Sequence, residues 1–138
     1  MASRHRSREL AVQLSYQIEF APNEVLSKKV LQLFWEEQAK TDDTNRPFFE
    51  FIVQGVAEHL PAIDRKINTF LKNWKMDRVE KVDLAILRVA IFELFFSEDP
   101  EKPDAPVVIN EAVEIAKKFG SQGSPGFVNG LLDAMMKP

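Results

Sequence analysis

The chain has 138 residues, 45% of them hydrophobic and 28% charged, with five glycines, eight prolines and no cysteine. That is enough apolar material for one compact domain with a real core, and too little glycine and proline for a fibrous or disordered chain. The missing cysteine excludes disulfides, zinc–thiolate sites and cysteine nucleophiles, and it fits a reducing, cytoplasmic setting.

The net charge of −3 is unevenly spread. Residues 1–8 carry three arginines and no acid, whereas residues 9–105 carry 12 basic and 18 acidic residues. An acidic body with a basic arm suggests a local anion site and a separate surface for a differently charged partner. No apolar stretch follows the charged N-terminus, so a signal peptide is not expected. The longest nearly apolar run, 84–96, contains Arg88 and Glu93 and is well short of the roughly 20 residues a membrane helix needs. No membrane association is expected.

Helical periodicity dominates from end to end, with no sustained two-residue alternation. A first helix is expected over about 7–20, with Leu10, Leu14 and Ile18 on one face and Val12, Tyr16 and Phe20 widening it. Ala21-Pro22-Asn23 ends it. A second, about 24–39, packs Leu26, Val30, Leu33 and Phe34. After a polar loop, Pro47 suits the first turn of a third helix, which carries Phe48, Phe49, Phe51, Ile52, Val56 and Leu60. Beyond Pro61 a fourth carries Ile63, Ile67, Phe70, Leu71 and Trp74.

Asp77 and Glu80 have the spacing of an N-cap and its reciprocal acid, placing a helix start near them. The fifth helix, about 82–96, is apolar nearly all round and belongs at the centre of its bundle. A stiff loop with Pro100, Pro103 and Pro106 precedes a sixth helix over about 107–119, with Gly120 suited to a left-handed C-terminal position. Ser124 is expected to cap a seventh, with Pro125 in its first turn. The expected fold is all-α, a compact bundle of about seven helices in one domain spanning 1–138. Two three-helix-type halves are expected, about 1–60 and 61–138.

Two basic clusters stand out. Arg4, Arg6 and Arg8, with His5, sit at or before the first helix, and guanidinium forks suit phosphate oxygens. A solvated, frayed terminus explains the same composition. Lys117-Lys118-Phe119-Gly120-Ser121 closes the sixth helix; lysines there complement the helix dipole, and Glu114 lies one turn back from both. The dipole does not account for the glycine–serine turn beyond them, whose backbone N–H groups, with Phe119 or Phe127 as stacking faces, would suit an unpaired base. Both phenylalanines equally suit the core. Arg88, inside the apolar helix, needs a partner, and Glu111 is the expected one. His5 and His59 are the only histidines, and neither has a catalytic or metal-ligand spacing. Asp42-Asp43 reads as a solvated pair. No catalytic residue, metal or cofactor is expected.

Several segments, in order, carry a family pattern. They are Arg6-x-Arg8-Glu9-x-Ala11-x-Gln13-x-x-Tyr16; Val53-x-Gly55-Val56 with Ile63-Asp64; Val82-Asp83-x-Ala85-Ile86-Leu87-Arg88-x-Ala90-x-x-Glu93-Leu94; Ile109-Asn110-Glu111-Ala112-Val113-x-x-Ala116-Lys117; and Phe127-Val128-Asn129-Gly130-x-Leu132-Asp133. Together they resemble the NusB family of bacterial transcription antitermination factors. The resemblance implies an all-helical fold, no enzymatic activity and a partnership with the ribosomal protein NusE. It also implies joint binding of single-stranded boxA RNA in nascent rRNA transcripts, within the antitermination complex of RNA polymerase. It carries RNA contact to Arg4, Arg6 and Arg8, with His5 among them, and to Lys117, Lys118, Phe119 and the turn from Gly120 and Ser121 towards Phe127. It places Tyr16 and Asp83 against the protein partner. His5 and Ser7 interrupt the basic run here, and residues 121–126 lack the acids common in the family. A helical adaptor that binds only protein is the alternative, and a homodimer is left open. The N-terminal domain of an rRNA cytosine methyltransferase is set aside, since these residues include no cofactor-binding domain.

Overall fold

The computed structural model describes residues 3–19, 28–72 and 75–137. The expected contributions of Phe20, Ala21-Pro22-Asn23, Glu24, Leu26 and Trp74 lie outside the described residues, as does the Ile18 side chain. Among the described residues the structure is helical throughout: α1 (Arg4–Glu19), α2 (Lys28–Phe34), α3 (Arg46–Glu58), α4 (Leu60–Phe70), α5 (Lys81–Ile91), α6 (Ala105–Phe119) and α7 (Ser124–Met136). Two of these run into π-helical turns, Trp35–Ala39 after α2 and Phe92–Phe96 after α5. No helix is long and apolar enough to cross a membrane, among the described residues.

α5 is the axis. Every residue from Asp83 to Ile91 is buried, as its all-round apolar sequence predicts. α1, α3 and α4 pack on it from the N-terminal side of the chain, and α6 and α7 pair with each other and close over it from the other. The helices therefore share one continuous cluster of buried side chains, running from Leu10 in α1 to Met135 in α7.

Several local expectations are corrected. Leu33 is 45% exposed, and Leu31 takes its place in the core. Asp77 lies within a 3₁₀ turn, Met76–Arg78, and α5 begins after Glu80 without a side-chain cap. Gly120 is extended (φ −90°, ψ −174°) rather than left-handed. Its lack of a side chain is needed for a different reason: a Cβ there would lie 2.5 Å from Cβ of Ser124. Ser124 does not cap α7. Its hydroxyl is buried and accepts from the Ser121 N–H at 3.0 Å, drawing the turn onto the helix start.

Arg88 pairs with Asp64 of α4, Nε to Oδ1 at 2.9 Å and Nη2 to Oδ2 at 3.1 Å, and not with Glu111. Asp42 accepts from the Thr44 N–H and Asp43 from the Trp35 indole, so both carboxylates fold the loop before α3.

Candidate nucleic-acid interface

α1 begins at Arg4, so Arg4 and Arg8 lie one turn apart on the same face. Both guanidinium groups sit over the Phe48 ring of α3, at 4.3 and 5.2 Å from its centroid. Their depths differ sharply. The Arg8 side chain is 5% exposed and clamps Glu93 in the Phe92–Phe96 turn that follows α5, Nε to Oε2 at 2.7 Å and Nη2 to Oε1 at 2.8 Å. The Arg4 side chain is 36% exposed and pairs with Asp99 at 3.0 Å and Glu101 at 3.5 Å. Arg6 points to another side, donating to the Ala39 carbonyl at 3.1 Å and pairing with Glu9 at 3.3 Å.

Glu9 joins the two basic clusters. Its second oxygen accepts from Lys118 Nζ at 3.0 Å, across 109 residues of sequence, and lies 3.6 Å from His5 Nε2. His5 Nδ1 contacts Glu111 of α6, and Arg8 Nη1 approaches the same carboxylate at 4.0 Å. Burial pushes the Glu9 carboxyl up, but hydrogen bonds from Lys118 and Arg6, with the nearby charges of Lys118 and His5, outweigh it. The net result is a pKa below the usual glutamate value. Around this ionised carboxylate the arm and the end of α6 form one surface.

On that surface Lys117 and Lys118 are more than half exposed. Lys117 pairs with Glu114 at 3.2 Å, while Lys118 leaves Glu114 for Glu9. Lys118 Nζ also lies 5.3 Å from the Phe119 ring, which is itself half-buried against the core. Ser121 extends towards a different neighbour, donating its hydroxyl to Glu80 at 3.1 Å. A cleft of about 320 Å³ there is lined by Ser121, Phe127, Glu80 and Asp83.

Residues 5–137 match the NusB family. The chain belongs to that family. The transcription antitermination protein NusB of Geobacter sulfurreducens is 43% identical over 133 residues, covering 96% of this chain and 93% of that protein. NusB of T. maritima has the same fold, with a TM-score of 0.82 at 33% identity, over 98% of this chain and 92% of that one. The fold also matches a chain in a solved complex of antitermination factors NusB and NusE with double-stranded RNA, at TM-score 0.80 and 23% identity, covering 96% and 94%.

Within this NusB-family fold, Asp83 occupies the first turn of α5, 5% exposed, with Oδ1 lacking a hydrogen-bond partner. Burial pushes its carboxyl above the usual aspartate range, Ser124 opposes the shift through a hydrogen bond, and Glu80 adds to it. The structure thus places Asp83, expected against a protein partner, in the same cleft as Ser121 and Phe127, expected against RNA. Tyr16 is half-buried and packs on the core.

Glu9, Glu93, Glu111 and Phe48 were missed as site residues. Glu9 was legible, since it lies i+3 from Arg6 and i+4 from His5. The others are contacts between distant helices, and helical spacing carries no trace of them.

Proposed function

We propose that this chain is a non-enzymatic, cytoplasmic antitermination factor. It would bind single-stranded boxA RNA jointly with NusE and deliver that RNA to the elongating polymerase complex. Membership of the NusB family supports the class, and a NusB of this fold has been captured with NusE and double-stranded RNA. The observation that carries the RNA reading is the junction at Glu9, which sets Arg6, His5 and Lys118 side by side.

The contact residues in this reading are Arg4, His5, Arg6, Lys117 and Lys118. Arg4 pairs with the exposed Glu101 and Lys117 with the exposed Glu114, and exposed pairs of this kind contribute only about 0–1 kcal/mol, whereas His5, Arg6 and Lys118 share the buried Glu9. Phosphate oxygens can replace Glu101 and Glu114 at little cost, while the cations around Glu9 stay paired with it and offer RNA their remaining N–H groups. Arg8 supports the site by holding α1 on α5 rather than by touching RNA. Phe119, Gly120, Ser121 and Phe127 shape the adjoining turn, and Tyr16 and the Asp83 cleft are assigned to NusE. The acidic body suits a basic ribosomal protein. A homodimer that covers this surface when RNA is absent belongs to the same proposal, as does the treatment of 1–138 as one domain.

The test is binding of boxA and scrambled RNA, with and without NusE. About four phosphate contacts at a slope near −0.7 each predict a roughly 50-fold loss over a fourfold rise in salt. The double variant R4A/R6A should flatten that slope by about two contacts' worth while retaining the fold. Equal affinity for boxA and scrambled RNA would sink the reading. A protein-only adaptor would leave RNA retention unchanged in R4A/R6A.

A further inference from the structure

A second surface lies at the other end of α5 from Asp83, about 13 Å away along the helix at 1.5 Å per residue. Between α3 and the Phe92–Phe96 turn runs a groove of about 300 Å³. Its floor is aromatic. Phe51 meets Phe92 edge-on with centroids 5.4 Å apart, and His59 stacks on Phe96 at 4.9 Å. Phe51 is 37% exposed, unusual for a phenylalanine on a helix with a well-formed buried face. Glu58 and Glu98 stand at the rim, both exposed, and among the described residues neither has a cationic partner.

The neighbouring rings show what this chemistry binds. Phe48 carries the Arg4 guanidinium at 4.3 Å, with Asp99 closing the pair at 3.0 Å. Phe95 carries the Lys66 ammonium at 4.3 Å. A groove of about 440 Å³ containing Arg4, Phe48 and Asp99 shares Phe51 and Glu98 with the first, so the two are continuous. Among the described residues, the Phe51, Phe92 and Phe96 rings have no cation over them.

We propose that this groove docks an arginine side chain presented by a basic segment of a partner protein. The guanidinium would lie against the exposed part of the Phe51 ring, beside its contacts with Phe48 and Phe92, while its N–H groups reach Glu58 and Glu98. Both carboxylates repel a phosphate backbone, so nucleic acid is the poorer fit. An uncharged apolar segment would bury the acids without compensation. The site adjoins Arg4 but shares no lining residue with the junction at Glu9 or the Asp83 cleft, and it stands whether or not RNA binds at Glu9.

The test uses the full chain and a fluorescein-labelled Gly-Arg repeat peptide, compared with the same peptide carrying citrulline, which keeps the shape and removes the charge. Amide chemical-shift changes should centre on Gly55, His59 and Phe96. Affinity should fall by about fivefold or more in F51A, in E58Q/E98Q and with the citrulline peptide, as an exposed cation–π contact with flanking charges implies. These side chains are exposed, and unchanged melting temperatures would show that the variants still fold. Two results overturn the proposal: variants that bind like the wild type, or shift changes centred on Glu9 or Asp83. Self-association of the wild type that F51A abolishes would reassign the groove to a second copy of the chain.

Discussion

Arg4 and Arg8 sit one helical turn apart over the same phenylalanine, and burial gives their charges different work. Arg4 keeps enough exposure to exchange its carboxylates for another anion. Arg8 is held in a forked contact with Glu93, and both side chains are at most 5% exposed. Truncating Arg8 removes one partner of a buried ion pair and leaves Glu93 without its forked contact, a change that costs about 3–5 kcal/mol. The R8A variant should therefore lose about that much stability in urea denaturation, with or without RNA. A stability loss below about 1 kcal/mol would show the pair to be replaceable by water. The distinction governs how arm mutants are read: a triple-alanine arm confounds RNA contact with unfolding, whereas R4A/R6A separates them.

At the scale of elements, two glycines are required by close approach rather than by dihedral freedom. Gly55 is buried in α3, where a Cβ would stand 2.2 Å from the Phe92 ring. Replacing glycine by alanine within a helix normally stabilises it by about 1 kcal/mol. Here the ring is buried and packed against Phe51 and His59, so the overlap wins, at a typical overpacking cost of about 1–3 kcal/mol. G55A should thus lower the urea midpoint, and an unchanged or raised midpoint would show that Phe92 moves aside freely. Gly120 makes the same argument at the α6–α7 turn, where Ser124 occupies the space of a side chain. The sequence marked Gly120 as important through the wrong mechanism. A helix-ending glycine is usually left-handed, and only the packing of the next helix shows why this one is not.

For the whole molecule, the decisive feature is that helices from both ends of the chain pack on α5. α1 and α3 bury one side of it, and α6 and α7 bury another. The buried cluster is one body with this helix running through it. Heating should therefore produce one transition, with helix content and tryptophan fluorescence changing together and calorimetric and van't Hoff enthalpies agreeing. Two separated transitions would divide the chain into independent units. The same architecture explains how a binding surface can be assembled from the two ends of the sequence: α1 and α6 both lean on α5, which brings Glu9 to Lys118.

The helices themselves were legible from hydrophobic spacing and proline positions, because 3.6-residue periodicity is a local property written directly in the chain. The centrality of α5 was legible too, since a helix apolar on all sides has nowhere else to go. The family pattern was equally a matter of residue order. The ion-pair partners were not legible. Arg88 chose Asp64 over Glu111, Glu111 went to His5, and Lys118 crossed to Glu9 instead of joining Glu114. Charge complementarity ranks many partners equally, and helix packing brings only some within reach. The sequence by itself determined the elements and which residues were charged. The tertiary structure decided which charges are spent inside the protein and which remain at its surface.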